Sequence, residues 1–146
     1  MIEHSELGFK DNVLIELFGP DGGLKDSRLI HNTVTTAGKN GVMDQILTSP
    51  SLAKMGWGAV GTGTPGATLL GAEIARVAFT SKTRLNNVTT VVSDFPAGRG
   101  TGALTEAGTL NIVTANTVDM WMSASFAVIN KGAVDSLKIT WTLTGN

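Results

Sequence analysis

Cysteine is absent from this 146-residue chain, so disulfides and thiolate metal sites are excluded, and the composition suits assembly in a reducing cytoplasm. Tyrosine is absent too, and aromatic side chains make up only 5% of the residues. The three tryptophans, Trp57, Trp121 and Trp141, therefore read as core or interface packing rather than a platform for stacking bases or sugars. Charge is scarce as well: 16% of residues against roughly 25% in an ordinary domain. The net charge of −1 argues against nucleic-acid affinity. No segment approaches the roughly 20 apolar residues of a membrane span, and the opening Met1-Ile-Glu-His-Ser-Glu has no secretory character. The two histidines, His4 and His31, have no partner at ligand spacing, so no metal site or cofactor is expected.

What the chain does have is alternation. From Ser136 to Thr144, Leu137, Ile139, Trp141 and Leu143 alternate with polar residues. A strand turns successive side chains to opposite faces, so this segment reads as a strand with one buried face. Asn12 to Phe18 repeats the pattern with Val13, Ile15 and Leu17. Gly19-Pro20-Asp21-Gly22-Gly23 then marks a turn, and a second strand is expected from Leu24 to Thr35. Further strands are expected at Met55–Thr62, Arg76–Lys82, Val88–Phe95, Thr105–Thr114 and Asp119–Asn130. One helix is expected over Asn40–Thr48, capped by Asn40, with Met43, Ile46 and Leu47 on one side and Pro50 beyond its end. The pattern implies an all-β protein: residues 12–146 form a single antiparallel β-sandwich, jelly-roll-like, with one short helix near residues 40–48. Residues 1–11 read as an N-terminal arm, whose extended reach would be roughly 35–40 Å.

Catalytic constellations do not emerge. Gly61-Thr-Gly63-Thr-Pro-Gly66 fits the spacing of a dinucleotide-binding loop, but Pro65 sits where the helix should open and no acid stands about 20 residues on. A loop is the better reading. Serine lacks a nucleophile elbow, and the seven acids of residues 1–48 form no pair with a catalytic context. Residues 76–102 carry Arg76, Lys82, Arg84 and Arg99 against Asp94 alone, either a solvated face or a surface for an acidic partner. The expected strand Asp119–Asn130 has apolar residues on both sides. Met120, Met122, Ala124, Phe126 and Val128 occupy one face; Trp121, Ala127 and Ile129 occupy the other. Such a strand is central, or its second face meets another chain.

Several segments in series resemble structural proteins of tailed-bacteriophage virions. They are Asn32-Thr-Val-Thr-Thr-Ala-Gly-Lys-Asn40, Trp57-Gly-Ala-Val-Gly-Thr-Gly-Thr64, Glu73-Ile-Ala-Arg76, Thr105-Glu-Ala-Gly108 and Phe126-Ala-Val-Ile-Asn-Lys131, followed by the alternating Asp135–Leu143. The stretch Asp119–Phe126 departs from that pattern in lacking an arginine midway. The resemblance implies a non-enzymatic capsid decoration, or cement, protein. Such a chain would be made in the bacterial host cytoplasm and then sit on the outer surface of the capsid. Its partners would be the major capsid protein and copies of itself, as a dimer or trimer, with no nucleic acid and no membrane. Trp121 and Ile129 would be interface anchors, and Arg76, Arg84 and Arg99 polar contacts to an acidic shell. A tail, baseplate or fibre component is the alternative, and a carbohydrate-binding β-sandwich module the second.

Overall fold

The computed structural model describes residues 8–113 and 119–146. It is mostly β, with 55% strand and 7% helix, in two antiparallel sheets. In chain order the elements are β1 (Phe9–Phe18), β2 (Leu24–Ile30), β3 (Thr33–Val34), α1 (Thr36–Asp44), β4 (Trp57–Gly61), β5 (Glu73–Ala78) and β6 (Ser81–Leu85). Then come β7 (Val88–Phe95), β8 (Gly102–Leu110), β9 (Met120–Lys131) and β10 (Ser136–Gly145). Sheet A runs β2-β1-β10-β7-β6 and sheet B runs β3-β9-β8-β4-β5. The expected sandwich is present; a jelly-roll wiring is not established by this order.

The alternating strands supply the core. Val13, Ile15, Leu17, Leu137, Ile139 and Trp141 of sheet A face Val60, Leu104, Ala107, Met122, Ala124 and Ile129 of sheet B. Each large apolar side chain taken fully out of water contributes roughly 1.5–3 kcal/mol, so this layer dominates the stability.

Four expected boundaries are corrected. The strand expected over Leu24–Thr35 breaks at His31-Asn32, and Thr33–Val34 pairs instead with β9 in the other sheet. The strand expected over Arg76–Lys82 breaks at Phe79-Thr80, where the chain passes from sheet B to sheet A. The arm expected to extend to Asp11 is shorter, because Phe9, Lys10 and Asp11 pair with Gly145, Thr144 and Leu143. Backbone pairing with β10 does not depend on an apolar side chain, so the polar Lys10 and Asp11 prolong the strand. Residues 1–7 of the arm, and residues 114–118 at the end of the strand expected over Thr105–Thr114, lie outside the described residues.

The helix begins four residues before the expected start. Thr35, not Asn40, is the N-cap: its hydroxyl oxygen accepts from Gly38 N–H at 3.0 Å and donates to the Met120 carbonyl. The Thr35 N–H donates to Trp121 O at 2.9 Å, which ties the helix start to β9. The face of α1 that meets the sheet is bare backbone. A Cβ on Gly41 would collide with the Trp121 ring, and one on Gly38 with the Trp121 carbonyl. Glycine here permits close approach of helix to tryptophan, so the two residues that weaken the helix locally are those that dock it.

Gly41→Ala sets two effects against each other. Alanine favours the helix by about 1 kcal/mol, whereas overpacking against a buried ring costs about 1–3 kcal/mol or more. The collision wins because it falls on a rigid ring rather than a flexible chain end. The urea midpoint is expected to fall by the equivalent of about 2 kcal/mol; an unchanged or raised midpoint would contradict this packing.

Candidate docking surfaces

The residues expected to reach a partner are mostly spent within the protomer. Trp121 is 8% exposed, roofed by α1. Ile129 belongs to the core, and the reason is a register shift. Opposite Leu104–Glu106 of β8, strand β9 carries extra residues, so Ala124 faces the core before the irregularity and Ile129 after it. Val128 is turned outward instead. Neither Trp121 nor Ile129 is an exposed anchor.

The arginines do not form a single patch. Arg76 is buried, with its guanidinium on Glu73 at 2.7 and 2.9 Å and on the Ile112 carbonyl at 2.6 Å. Arg99 donates to the Arg76 carbonyl at 2.7 Å, covering a backbone acceptor of β5, which is the last strand of sheet B. Arg84 lies on β6, the exposed outer strand of sheet A, and donates to Asn86 O at 2.8 Å. On that strand Lys82 pairs with the core residue Val91, so Lys82 and Arg84 share the inward side of an edge strand. Inward-pointing cations on an edge discourage a further strand from adding there. The basic stretch of residues 76–102 therefore serves buried pairing and edge protection.

The glycine-rich loop binds a carboxylate of its own chain. Glu106, fully buried, accepts from the N–H groups of Gly63, Gly71 and Ala72 at 3.2, 2.9 and 2.7 Å. A phosphate would need such donors free, and here they hold the loop flat on sheet B. Under it Leu70 packs with Ala59, Leu110 and Met120 as a second small core. Among the described residues no group of three or more His, Asp or Glu side chains is placed to hold a metal. Sequence reasoning missed Glu106; its one signal was a lone acid in a strand of small and apolar residues.

Glu106→Ala should leave three loop N–H groups without their acceptor. At roughly 1–3 kcal/mol for each buried unpaired group, the loss is expected to reach at least about 3 kcal/mol. Thermal unfolding should report it, with faster amide exchange at Gly63, Gly71 and Ala72; protected amides in the variant would refute the latch.

Among the described residues, two surfaces stand out as broad and open. The first is the outer face of sheet A, where β-pairing aligns residues in rows. One row is Leu29–Leu14–Thr140–Val92–Ser81 and the next is Asn12–Thr142–Thr90–Thr83. Leu29 is 67% exposed. Charge appears mainly along one margin, as the alternating row Glu16–Lys138–Asp94. Five strands of this length span roughly 20 Å by 30 Å.

The second surface is a spur at the end of α1. Met43, Ile46, Leu47 and Leu52 are exposed, Ile46 at 74% and Leu47 at 59%. Their helical spacing reads in sequence as a core-facing stripe, yet the docked stripe is Gly38 and Gly41. The spur is braced: the Asp44 carboxylate accepts from Leu52 N–H at 2.9 Å, Ser51 N–H at 3.2 Å and the Ser51 hydroxyl at 3.0 Å. The Leu52 N–H is the main cause holding the Asp44 carboxyl below its ordinary range.

No protein-family model, curated protein or solved structure matches the chain.

Proposed function

We propose that this chain is a non-enzymatic structural protein of a tailed-phage virion, seated on the outside of the head as a decoration protein. The observation that carries the reading is the contrast between the two sheets. Sheet B has part of its outer face covered by α1 and by the Glu106-latched loop, whereas sheet A presents a broad, weakly charged, hydroxyl-rich face with Leu29 exposed and Leu14 and Val92 half-buried. An antiparallel sheet ordinarily leaves one face in water, and threonine is a good strand former, so the face by itself is unexceptional. Its low charge lowers the desolvation cost of seating on protein. Its extent is comparable with the roughly 800 Å² per partner of a stable interface. The virion assignment draws on the resemblance of the strand and turn segments; the sheet gives that role a surface. In this reading the occupant of the face is the major capsid protein at a joint between subunits, and repetition around the shell multiplies a modest contact.

The test is co-sedimentation of the purified chain with shells of the parent phage's major capsid protein. Stoichiometric binding is expected, and Leu29→Asp, at an exposed edge position, should weaken it at least about tenfold by burying a charge at the contact. Shells that capture neither protein would refute a place on the head. Equal capture of both would refute the sheet A face. Binding to isolated tails instead would favour a tail or baseplate component.

A further inference from the structure

We propose that the apolar spur of α1, with Met43, Ile46, Leu47 and Leu52, is a self-association surface whose occupant is the same spur on a second copy of this chain. Four observations favour that occupant. The spur is preorganised by the Asp44 bracing, so little chain entropy is lost when it is covered. From Gln45 to Ala53 the sequence carries no charge, and the one charge between Met43 and Leu52, the Asp44 carboxylate, is taken up by the Ser51 and Leu52 donors. About a symmetry axis each side chain meets itself or a near neighbour, so an uncompensated charge is least tolerable there and neutrality is what the contact requires. The four side chains expose on the order of 400 Å² of apolar surface, the size of patch that a monomer seldom leaves open without use. With the exposed rim of Thr36, Asn40 and Pro50 the patch comes to roughly 600 Å², the size of a modest, reversible contact beside the roughly 800 Å² per partner of a standard interface. The fourth is position, and it rests on the proposed seating by sheet A. The spur belongs to α1, which packs on sheet B, so a copy seated through the outer face of sheet A holds the spur on its far side. The surface within reach there is another copy's.

Sedimentation equilibrium of the full chain, without shells, tests this directly. The wild-type chain is expected as a dimer at micromolar concentration. Ile46→Asp combined with Leu47→Asp should raise the dissociation constant at least about a hundredfold, since two charges then face their own copies. Both positions are well exposed in the protomer, so far-UV circular dichroism and the urea midpoint should be unchanged; Leu47→Asp alone should give a smaller shift in the same direction. Leu29→Asp should leave the oligomer intact. A wild-type chain that is monomeric at about 100 μM, or an oligomer that persists in the double variant, would overturn the proposal. An intact oligomer that fails to bind shells would sink the head-decoration reading and leave the self-association standing.

Discussion

The contact between the Trp121 ring and the bare backbone of Gly38 and Gly41 decides how this molecule presents itself. It lays α1 across the start of β9 and, with Thr35 bonded to the Met120 and Trp121 carbonyls, closes one part of sheet B to solvent. The loop pinned by Glu106 closes another part. Sheet B is thus covered on its outer side where α1 and the loop lie, while Ile74 and Val128 stay exposed beyond them. Among the described residues sheet A has no equivalent cover, and the apolar stripe at the end of α1, displaced from the core by the glycines, is left in the open. The two surfaces assigned to partners follow from that one packing choice.

Charge is distributed to match. Arg28 donates to the Ala127 and Val128 carbonyls at the irregular stretch of β9 while pairing with Asp26 at 3.0 Å. Lys131, buried, donates to Pro96 O at 3.1 Å, and burial draws its ammonium below the ordinary lysine range. Asp135 accepts from Lys25 at 2.9 Å and from Gly132 N–H at 2.8 Å; the Lys25 bond is the main cause holding its carboxyl down. A depressed carboxyl contributes stability above its unfolded value, and that contribution fades as the pH falls through the folded one. In a chain with so few charges, each one fixed in this way is one fewer on the open face of sheet A.

Legibility in the sequence followed the physics of each element. The central strands β1 and β10 were readable because a period-two pattern with one buried face is the signature of a strand. Strand β9 was readable as an element but not as a surface. The register shift opposite Leu104–Glu106 exchanges inward and outward positions, and no local pattern announces it. The helix was misplaced because its apolar stripe looked like a core face, whereas the true docking face is two glycines that carry no hydrophobic signal. Arg76 read as a surface cation because regular alternation puts residues three apart on opposite faces, and the irregularity at Ile74 that brings Glu73 to it has no local signal. Glu106 escaped notice because its partners are backbone amides, which no sequence displays.

A density map of the parent particle at side-chain resolution is the most direct test of the proposal that this chain works by covering protein. The account predicts copies on the outside of the head, with the Leu29–Leu14–Thr140–Val92 row against the major capsid protein. Density for the chain with that face turned to solvent, or a head that carries none of it, would contradict the account.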